Sequence, residues 1–150
     1  MIQNFTIRRA GAGDLEALLP LVAAYRVFYK QEPDAQKERV FIEQHLRNAT
    51  SAMYLAEDDG RAAAFMQLFK TYSTVYLGPS LILEDLFVDP AYRGRGIGAA
   101  LLQRAVTHAL DIGASEMFLE TAIDNAAAQR VYERAGWIRE GRFFKYNAPM

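Results

Sequence analysis

The sequence predicts an α/β domain in which helices flank a mixed central sheet. Strand-like and helix-like segments follow one another in the order β-α-α-β-β-β-α-β-α-β-β, which is typical of this class. Hydrophobic residues make up 51% of the 150 residues and charged residues 23%, the usual balance of a globular protein. No repeat or linker divides the chain. We therefore expect one domain over residues 1–150.

The first part of the chain is predicted to place two helices after an opening strand. Residues 5–10 alternate apolar and polar side chains, as a half-buried strand does. Gly11-Ala-Gly13 interrupts this strand, and Asp14 is suited to cap a helix that runs to about Lys30. A second helix is then expected to begin at Glu32-Pro-Asp34.

A hairpin and a buried strand are predicted next. Residues 51–57 and 62–69 have strand composition, and Asp58-Asp-Gly60 between them is a hairpin turn. We expect residues 70–80 to form an irregular connection. Residues 81–88 are almost continuously apolar, which indicates a strand buried on both faces.

The last part of the chain is predicted to alternate helices and strands. Residues 96–112 carry apolar side chains at helical spacing, and residues 115–121 form a strand. Asp124 or Asn125 caps a further helix. Two strands of a closing hairpin are then expected over residues 137–140 and 142–147.

Composition excludes several classes of protein. The net charge of −1 gives no basic field for nucleic acid. Cysteine is absent, which removes disulfides, thiolate metal sites and a cysteine nucleophile, and the two histidines lack neighbours at metal-ligand spacing. The first residues lack the apolar core of a signal peptide, and no apolar run approaches the ~20 residues that span a bilayer. We expect a cytoplasmic protein without a metal, a membrane or a nucleic-acid partner.

The most informative segment is the loop Asp89-Pro-Ala-Tyr-Arg93-Gly-Arg-Gly-Ile-Gly98, which joins the buried strand to a helix. Glycines let backbone N–H groups approach a ligand closely, and a helix N-terminus adds unpaired donors and a positive dipole end. Arg93 and Arg95 add charges that can pair with phosphate oxygens. The loop therefore predicts a site for the diphosphate of a ligand.

The loop has two other possible interpretations, a structural helix start and a dinucleotide-binding loop. A purely structural helix start is disfavoured, because three glycines in five residues follow a buried strand. Gly94-x-Gly96-x-x-Ala99 also fits a relaxed dinucleotide-binding fingerprint, with Glu120 near the position of a ribose-binding acid. However, five residues separate the strand from the glycines where that fingerprint needs a tight turn. A P-loop is excluded, because no Gly-Lys-Ser/Thr follows.

A second group of residues shares one face of the last predicted helix. Asn125, Ala128, Gln129 and Tyr132 are spaced i, i+3, i+4 and i+7. The amide of Asn125 can bind an amide of a ligand arm, and Ala128 is small enough to let that arm lie close. The structural alternative makes Tyr132 a core aromatic with its hydroxyl at the surface.

Two adjacent acids interrupt the buried strand. Glu84 and Asp85 should face opposite sides of the sheet, so without a bulge only one can point at a reacting group. Carboxylates in an apolar strand are costly unless they are paired or used in chemistry. An arginine partner on a neighbouring element is as good an explanation as catalysis.

These motifs together resemble one known family. Arg93-x-x-Gly96-x-Gly98 resembles the acetyl-CoA pyrophosphate loop of the GCN5-related N-acetyltransferase (GNAT) family, and residues 83–88 resemble its central strand. Residues 119–137 resemble its second cofactor motif. The resemblance covers essentially the whole chain and implies a GNAT-like fold. It is greatest to the branch that acetylates small molecules, histones and amino acids.

The resemblance implies an acetyl-CoA-dependent N-acetyltransferase in which the amine attacks directly in a ternary complex. In the family, the tyrosine matching Tyr132 points at the thioester sulfur and can protonate the leaving thiolate. In the related spermidine/spermine N-acetyltransferases, the glutamate matching Glu84 works through water. Glu84 is therefore the first candidate base, and Asp85 the second. Residues expected to bind the cofactor are Leu86, Phe87, Val88, Arg93, Gly94, Arg95, Gly96, Ile97, Gly98, Ala99, Asn125, Ala128 and Tyr132.

The acceptor is expected to be a small primary amine, such as a polyamine, an amino acid or a related compound. In the family, the region between the first two helices covers the acceptor site. Here it holds Tyr25, Phe28, Tyr29 and Glu32, which together with Glu84 suit a cation, although a packed helix with a solvated turn explains them equally well. A protein amino group and a non-catalytic acyl-CoA-binding module remain as alternatives. A homodimer is expected only because many relatives form one.

Overall fold

A five-stranded mixed sheet forms the centre of the fold, with the strands in the order β1-β2-β3-β4-β5. The computed structural model describes residues 4–48 and 51–150. β1 to β4 pair antiparallel, and β4 pairs parallel with β5. The helices and strands are β1 (Thr6–Arg9), α1 (Leu15–Phe28), α2 (Ala35–Arg47), β2 (Ser51–Asp58), β3 (Arg61–Ser73), β4 (Gly78–Val88), α3 (Ile97–Asp111), β5 (Glu116–Phe118) and α4 (Ala126–Arg134).

The predicted α/β class and the element order from the first strand to the last helix are confirmed. The chain divides into two compact units, residues 1–120 and residues 121–150. The first contains the sheet and three helices, and the second contains α4. None of the described helices is both long enough and apolar enough to cross a bilayer.

Helices pack on both faces of the sheet in the first unit. One face carries a core that α1 and α2 share with β2, β3 and β4; its most buried members include Leu18, Ile42, Leu55 and Phe65. The other face packs against α3, where the Tyr54 hydroxyl lies 2.8 Å from Nδ1 of His108. The alternation of side chains along β3 explains this division, because successive residues point to opposite faces.

A β-bulge interrupts the pairing of β3 with β4. Gln67 pairs with Asp85 and the next residue, Leu68, pairs with Leu83, so Glu84 is an extra residue on β4. A bulge changes which face the following side chains point to. Asp85 therefore shares the α1/α2 face with Gln67, whereas Leu83 shares the α3 face with Leu68.

Residues 70–80, predicted to form an irregular connection, instead extend two paired strands, β3 and β4. β3 extends to Ser73 and β4 begins at Gly78, with Tyr72 paired to Pro79. Pro79 is tolerated in the strand because proline lacks only the N–H donor and keeps its carbonyl acceptor. The sequence prediction was wrong here because it took Gly78-Pro79 as a break.

The closing hairpin predicted over residues 137–147 does not occur in the described C-terminal unit, which contains no strand. A local turn replaces it. The Glu140 carboxylate accepts hydrogen bonds from the backbone N–H groups of Gly141 at 2.9 Å and of Arg142 at 2.6 Å, and it also pairs with the Arg142 guanidinium. These hydrogen bonds occupy backbone N–H groups that would otherwise donate to a neighbouring strand.

The packing of α3 indicates that alanine substitution of two of its leucines will lower the free energy of unfolding by very different amounts. Leu101 is fully buried and Leu110 is 75% exposed. We expect Leu101→Ala to lower the free energy of unfolding by about 2–5 kcal/mol, because it leaves a cavity. Leu110→Ala, with the same change in helix propensity, should stay within about 0.5 kcal/mol of the parent. Urea denaturation measures both, and equal losses would contradict the packing described here.

Candidate active site

The glycine loop has the backbone geometry of an anion cradle. Gly94 and Gly96 have positive φ angles of 79° and 84°, and nothing lies within 4 Å of where a Cβ would stand on either residue. Gly96 is the N-cap of α3 and supplies no side-chain cap, and the first intrahelical bond runs from the Ala100 N–H to the Gly96 carbonyl at 3.0 Å. The first N–H groups of α3 therefore have no acceptor within the helix.

The residues next to these glycines differ in how deeply their side chains are buried. Ile97 is 1% exposed, so its side chain belongs to the core and only its backbone is offered to a ligand. Gly98 and Ala99 complete the first turn of α3. The predicted cofactor residues from 93 to 99 thus lie on one continuous loop and helix start.

Both loop arginines contact the protein. Arg93 donates from Nε to the Val88 carbonyl at 2.9 Å and stacks over Phe87 at 5.5 Å. Arg95 pairs with Asp58 of the β2–β3 turn at 3.0 Å. A guanidinium has five N–H groups, so these bonds orient the arginines and leave each of them further donor groups.

β4 has strand partners on both sides only along part of its length. β5 pairs with Ser80, Leu81 and Ile82, and the described pairing stops there. Leu86, Phe87 and Val88 pair only with β3. The other edge of the strand therefore carries backbone donors and acceptors just before the glycine loop, as the extended arm of a ligand requires.

Asp85 is a partly buried carboxylate next to an aromatic side chain. Asp85 and Tyr25 of α1 line the same cavity. Burial raises the pKa of Asp85 from 3.8 to about 6, with a smaller contribution from the Glu84 charge, and the interaction with Tyr25 opposes this shift. Burial also raises the pKa of Tyr25 far above its usual value, so Tyr25 stays a neutral donor. At pH 7 Asp85 is therefore mostly ionised and able to accept a proton.

Glu84 has a different environment from its neighbour. It is the extra residue of the bulge and is exposed, whereas Asp85 is largely buried on the α1/α2 face. The two adjacent acids thus lie in different environments, as expected. The bulge at Glu84 contributes to this difference.

A cavity of about 330 Å³ lies over Asp85 in the first unit. Side chains of α1, α2 and the sheet line it. Its apolar walls are formed by Val22, Phe41, Ile42 and Phe65. Tyr25 also lines it and packs edge-on against Phe65, with ring centroids 5.6 Å apart. This volume is at the small end of the range for small-molecule sites.

Charged and polar groups of the cavity come from both helices and from β3. Arg26 of α1 pairs with Glu38 of α2 at 2.6 Å, and Glu38 is buried. Lys37 lies beside Glu38, with its side chain 88% exposed. Gln67, the cross-strand neighbour of Asp85, is fully buried and its Nε2 has no partner among the described residues. Unsatisfied buried donors of this kind call for an explanation such as a functional site.

The residues predicted to bind the acceptor are only partly brought together. Tyr25 lines the cavity, but Phe28, Tyr29, Glu32 and Glu84 are exposed and do not line it. Tyr29 contacts Tyr25 at 5.0 Å, and the Glu32 carbonyl accepts a hydrogen bond from Arg26.

Sequence reasoning missed Arg26, Glu38, Phe65 and Gln67. The first two belong to different helices, so their spacing carries no signal. The other two alternate along β3 on the face that Asp85 shares, which only the register reveals.

The predicted helix face of the C-terminal unit is present. Asn125, rather than Asp124, caps α4, and its Oδ1 accepts from the Ala128 N–H at 3.2 Å. Gln129 donates to the Ile123 carbonyl at 2.8 Å. Tyr132 lies 6.4 Å from Trp137 between ring centroids. All four residues of the predicted face are half-buried. Among the residues that the structure describes, no group of three acids or histidines is placed to hold a metal ion.

Comparison with known proteins agrees with this geometry. A family model described as the acetyltransferase (GNAT) family matches residues 17–137. An uncharacterized N-acetyltransferase of Bacillus subtilis (strain 168), YhfO, is 37% identical over 145 residues, which are 95% of this chain and 97% of the relative.

Solved structures give the same picture. A crystal structure described as a probable acetyltransferase superimposes with a TM-score of 0.91 at 34% identity, covering 97% of each chain. An aminoglycoside N-acetyltransferase, AAC(6')-Iy, in complex with CoA has a TM-score of 0.82 at 23% identity, covering 100% of this chain and 98% of the other, which shows a shared fold. With a family model over most of its length and a full-length relative above 30% identity, this chain belongs to the GNAT family of acetyltransferases and is an acyltransferase, as the sequence predicted.

Proposed function

We propose that this chain transfers an acetyl group from acetyl-CoA to the primary amine of a small molecule, with Asp85 as the base. The observation that carries the proposal is a partly buried carboxylate that lines a small cavity beside Tyr25, with no cation among the described residues acting on it. The groups that act on Asp85 in the described chain are Tyr25 and Glu84. A buried charge without a cationic partner costs stability, which favours a role in chemistry.

The cofactor site is assigned to the start of α3 and the end of β4. The N–H groups of residues 97–99 and the open space at Gly94 and Gly96 suit a diphosphate, and Arg93 and Arg95 add positive charge. The edge of β4 from Leu86 to Val88 suits the amide groups of a pantetheine arm. The family resemblance implies that Asn125 and Ala128 of the C-terminal unit also bind the cofactor.

The chemistry requires removal of a proton from the amine. Aliphatic ammonium groups resemble lysine, with a pKa near ~10.4, so most of the acceptor arrives protonated at pH 7. When bound, acetyl-CoA supplies a thioester whose carbonyl carbon the amine nitrogen attacks. Asp85 accepts the proton that the nitrogen loses, directly or through water. The family resemblance implies that Tyr132 of the C-terminal unit donates a proton to the departing sulfur. Backbone N–H groups near Phe87 are proposed to polarise the carbonyl.

Two features support this function over the alternatives. A non-catalytic acyl-CoA-binding module has no need of an ionisable carboxylate in the cavity. A protein acceptor needs an open groove for its chain, whereas the cavity over Asp85 has a volume suited to a small molecule.

The base assignment predicts different effects for the two adjacent acids. With acetyl-CoA and an amine panel, Asp85→Asn should slow thiol release by about 10²–10⁴-fold, because general-base catalysis contributes this much. Glu84→Gln should cost less than tenfold. The ratio of wild-type to Asp85→Asn rates should fall as the pH drops through about 6, because protonated Asp85 loses its function as a base. A large loss in Glu84→Gln with an active Asp85→Asn would assign the base to Glu84 instead.

Replacing a glycine of the loop by alanine is expected to weaken the binding of CoA. Gly96→Ala places a Cβ in the open space at the start of α3 and strains a backbone with φ of 84°. We expect the Kd for CoA in calorimetry to rise at least tenfold. Gly113→Ala is the matched control, since φ is 69° at the other end of the same helix and the surrounding space is equally open. Equal affinities of both variants and the parent would remove the loop from the site.

The phenol of Tyr132 is expected to act in turnover and not in binding. Tyr132→Phe should lower kcat by about 10-fold or more, because it removes the proton donor for the sulfur. The Kd for CoA should change less than threefold. Tyr146→Phe, an exposed tyrosine of the same unit, is the control. An unchanged kcat in Tyr132→Phe would refute its role as an acid.

A further inference from the structure

We propose that the acceptor is a monoamine with an apolar body, and that polyamines are poor acceptors. This inference rests on the proposed function and narrows it from small amines in general to one chemical class. It follows from how the charges and the apolar walls of the cavity over Asp85 are arranged.

The cavity offers one carboxylate for a cation. Two carboxylates line it, Asp85 and Glu38. Glu38 is already neutralised by Arg26 at 2.6 Å and also accepts from the Asp34 N–H at 3.3 Å. Asp85 lies in the same lining as Tyr25, and no cation of the described chain acts on it. A single ammonium group therefore finds a single counter-charge in the described lining.

The remaining cation of the lining repels a second ammonium group. Lys37 stands on the helix side of the cavity, whereas the charge of Arg26 is neutralised by Glu38. Lys37 is only weakly held, with Nζ 3.8 Å from Asp34, so its charge is available at the rim. An amine held at Asp85 that carried a second ammonium would bring it toward Lys37 or against apolar walls, and both arrangements are unfavourable.

The apolar walls suit a hydrocarbon chain or an aromatic ring. Ile42 and Phe65 are each 2% exposed and form the deep walls with Val22. Phe41, half exposed on α2, extends the apolar surface to the rim. Burying the body of the acceptor here supplies affinity in proportion to its apolar area, while Asp85 orients its nitrogen.

A matched pair of probes isolates the second charge. n-Hexylamine and 1,5-diaminopentane have the same length and differ in a terminal methyl against an ammonium. With acetyl-CoA at low ionic strength, we expect kcat/KM for n-hexylamine to exceed that for 1,5-diaminopentane at least tenfold. 2-Phenylethylamine should also be accepted, and spermidine should behave like the diamine.

A charge reversal at the rim tests the cause. Lys37→Glu should reduce the ratio of the two kcat/KM values at least threefold, because it replaces repulsion of the second ammonium by attraction. Lys70→Glu, an exposed lysine on β3 that does not line the cavity, should leave the ratio unchanged. Circular dichroism and the Kd for CoA check that each variant is folded.

The outcomes separate this inference from the proposed function. Thiol release that is equal or faster with 1,5-diaminopentane or spermidine would overturn the monoamine assignment and leave the acetyltransferase proposal standing. A ratio unmoved by Lys37→Glu, or moved as much by Lys70→Glu, would overturn the charge argument. No release with any amine of the panel would overturn the proposed function and this inference with it.

Discussion

The bulge at Glu84 is the constraint on which the site depends. In a regular strand Leu83, Asp85 and Phe87 would all face the same side of the sheet. The extra residue lets Leu83 pack with Leu68 on the α3 face, while Asp85 joins Gln67 under α1 and α2. A carboxylate thus lies within an apolar strand without disrupting the α3 core. Bulges commonly occur next to active sites because they redirect side chains in this way.

Burial then determines the chemistry of that carboxylate. Partial burial among the walls contributed by α1, α2 and Phe65 raises the pKa of Asp85, and the interaction with Tyr25 limits the shift. A carboxylate with a pKa near 6 is ionised at neutral pH and accepts a proton more readily than an exposed aspartate, which suits the proposed role of Asp85. Arg26, a cation of the same cavity, forms an ion pair with Glu38 and not with Asp85. The charge of Asp85 therefore remains available to a ligand.

Two neighbouring parts of one chain segment carry the proposed cofactor and acceptor sites. β4 carries Asp85 in its middle and leads directly into the glycine loop, so under the proposed function the cofactor at the start of α3 and the acceptor over Asp85 contact the same strand. β3 pairs with this strand along its whole length, whereas β5 pairs only with its beginning, so the edge from Leu86 to Val88 has no strand partner among the described residues.

The sequence by itself determined the class of fold and the family, and it predicted the position of the cofactor loop, because these depend on local patterns: periodicity, caps, and glycines at a strand-to-helix junction. The same local logic failed at Gly78-Pro79 and at residues 137–147, where register and local carboxylate bonds decide the structure. It also ranked Glu84 before Asp85 as the candidate base. The different environments of the two acids are visible only in the tertiary structure, since the bulge, the partial burial of Asp85 and the Arg26–Glu38 pair arise from contacts between elements far apart in the chain.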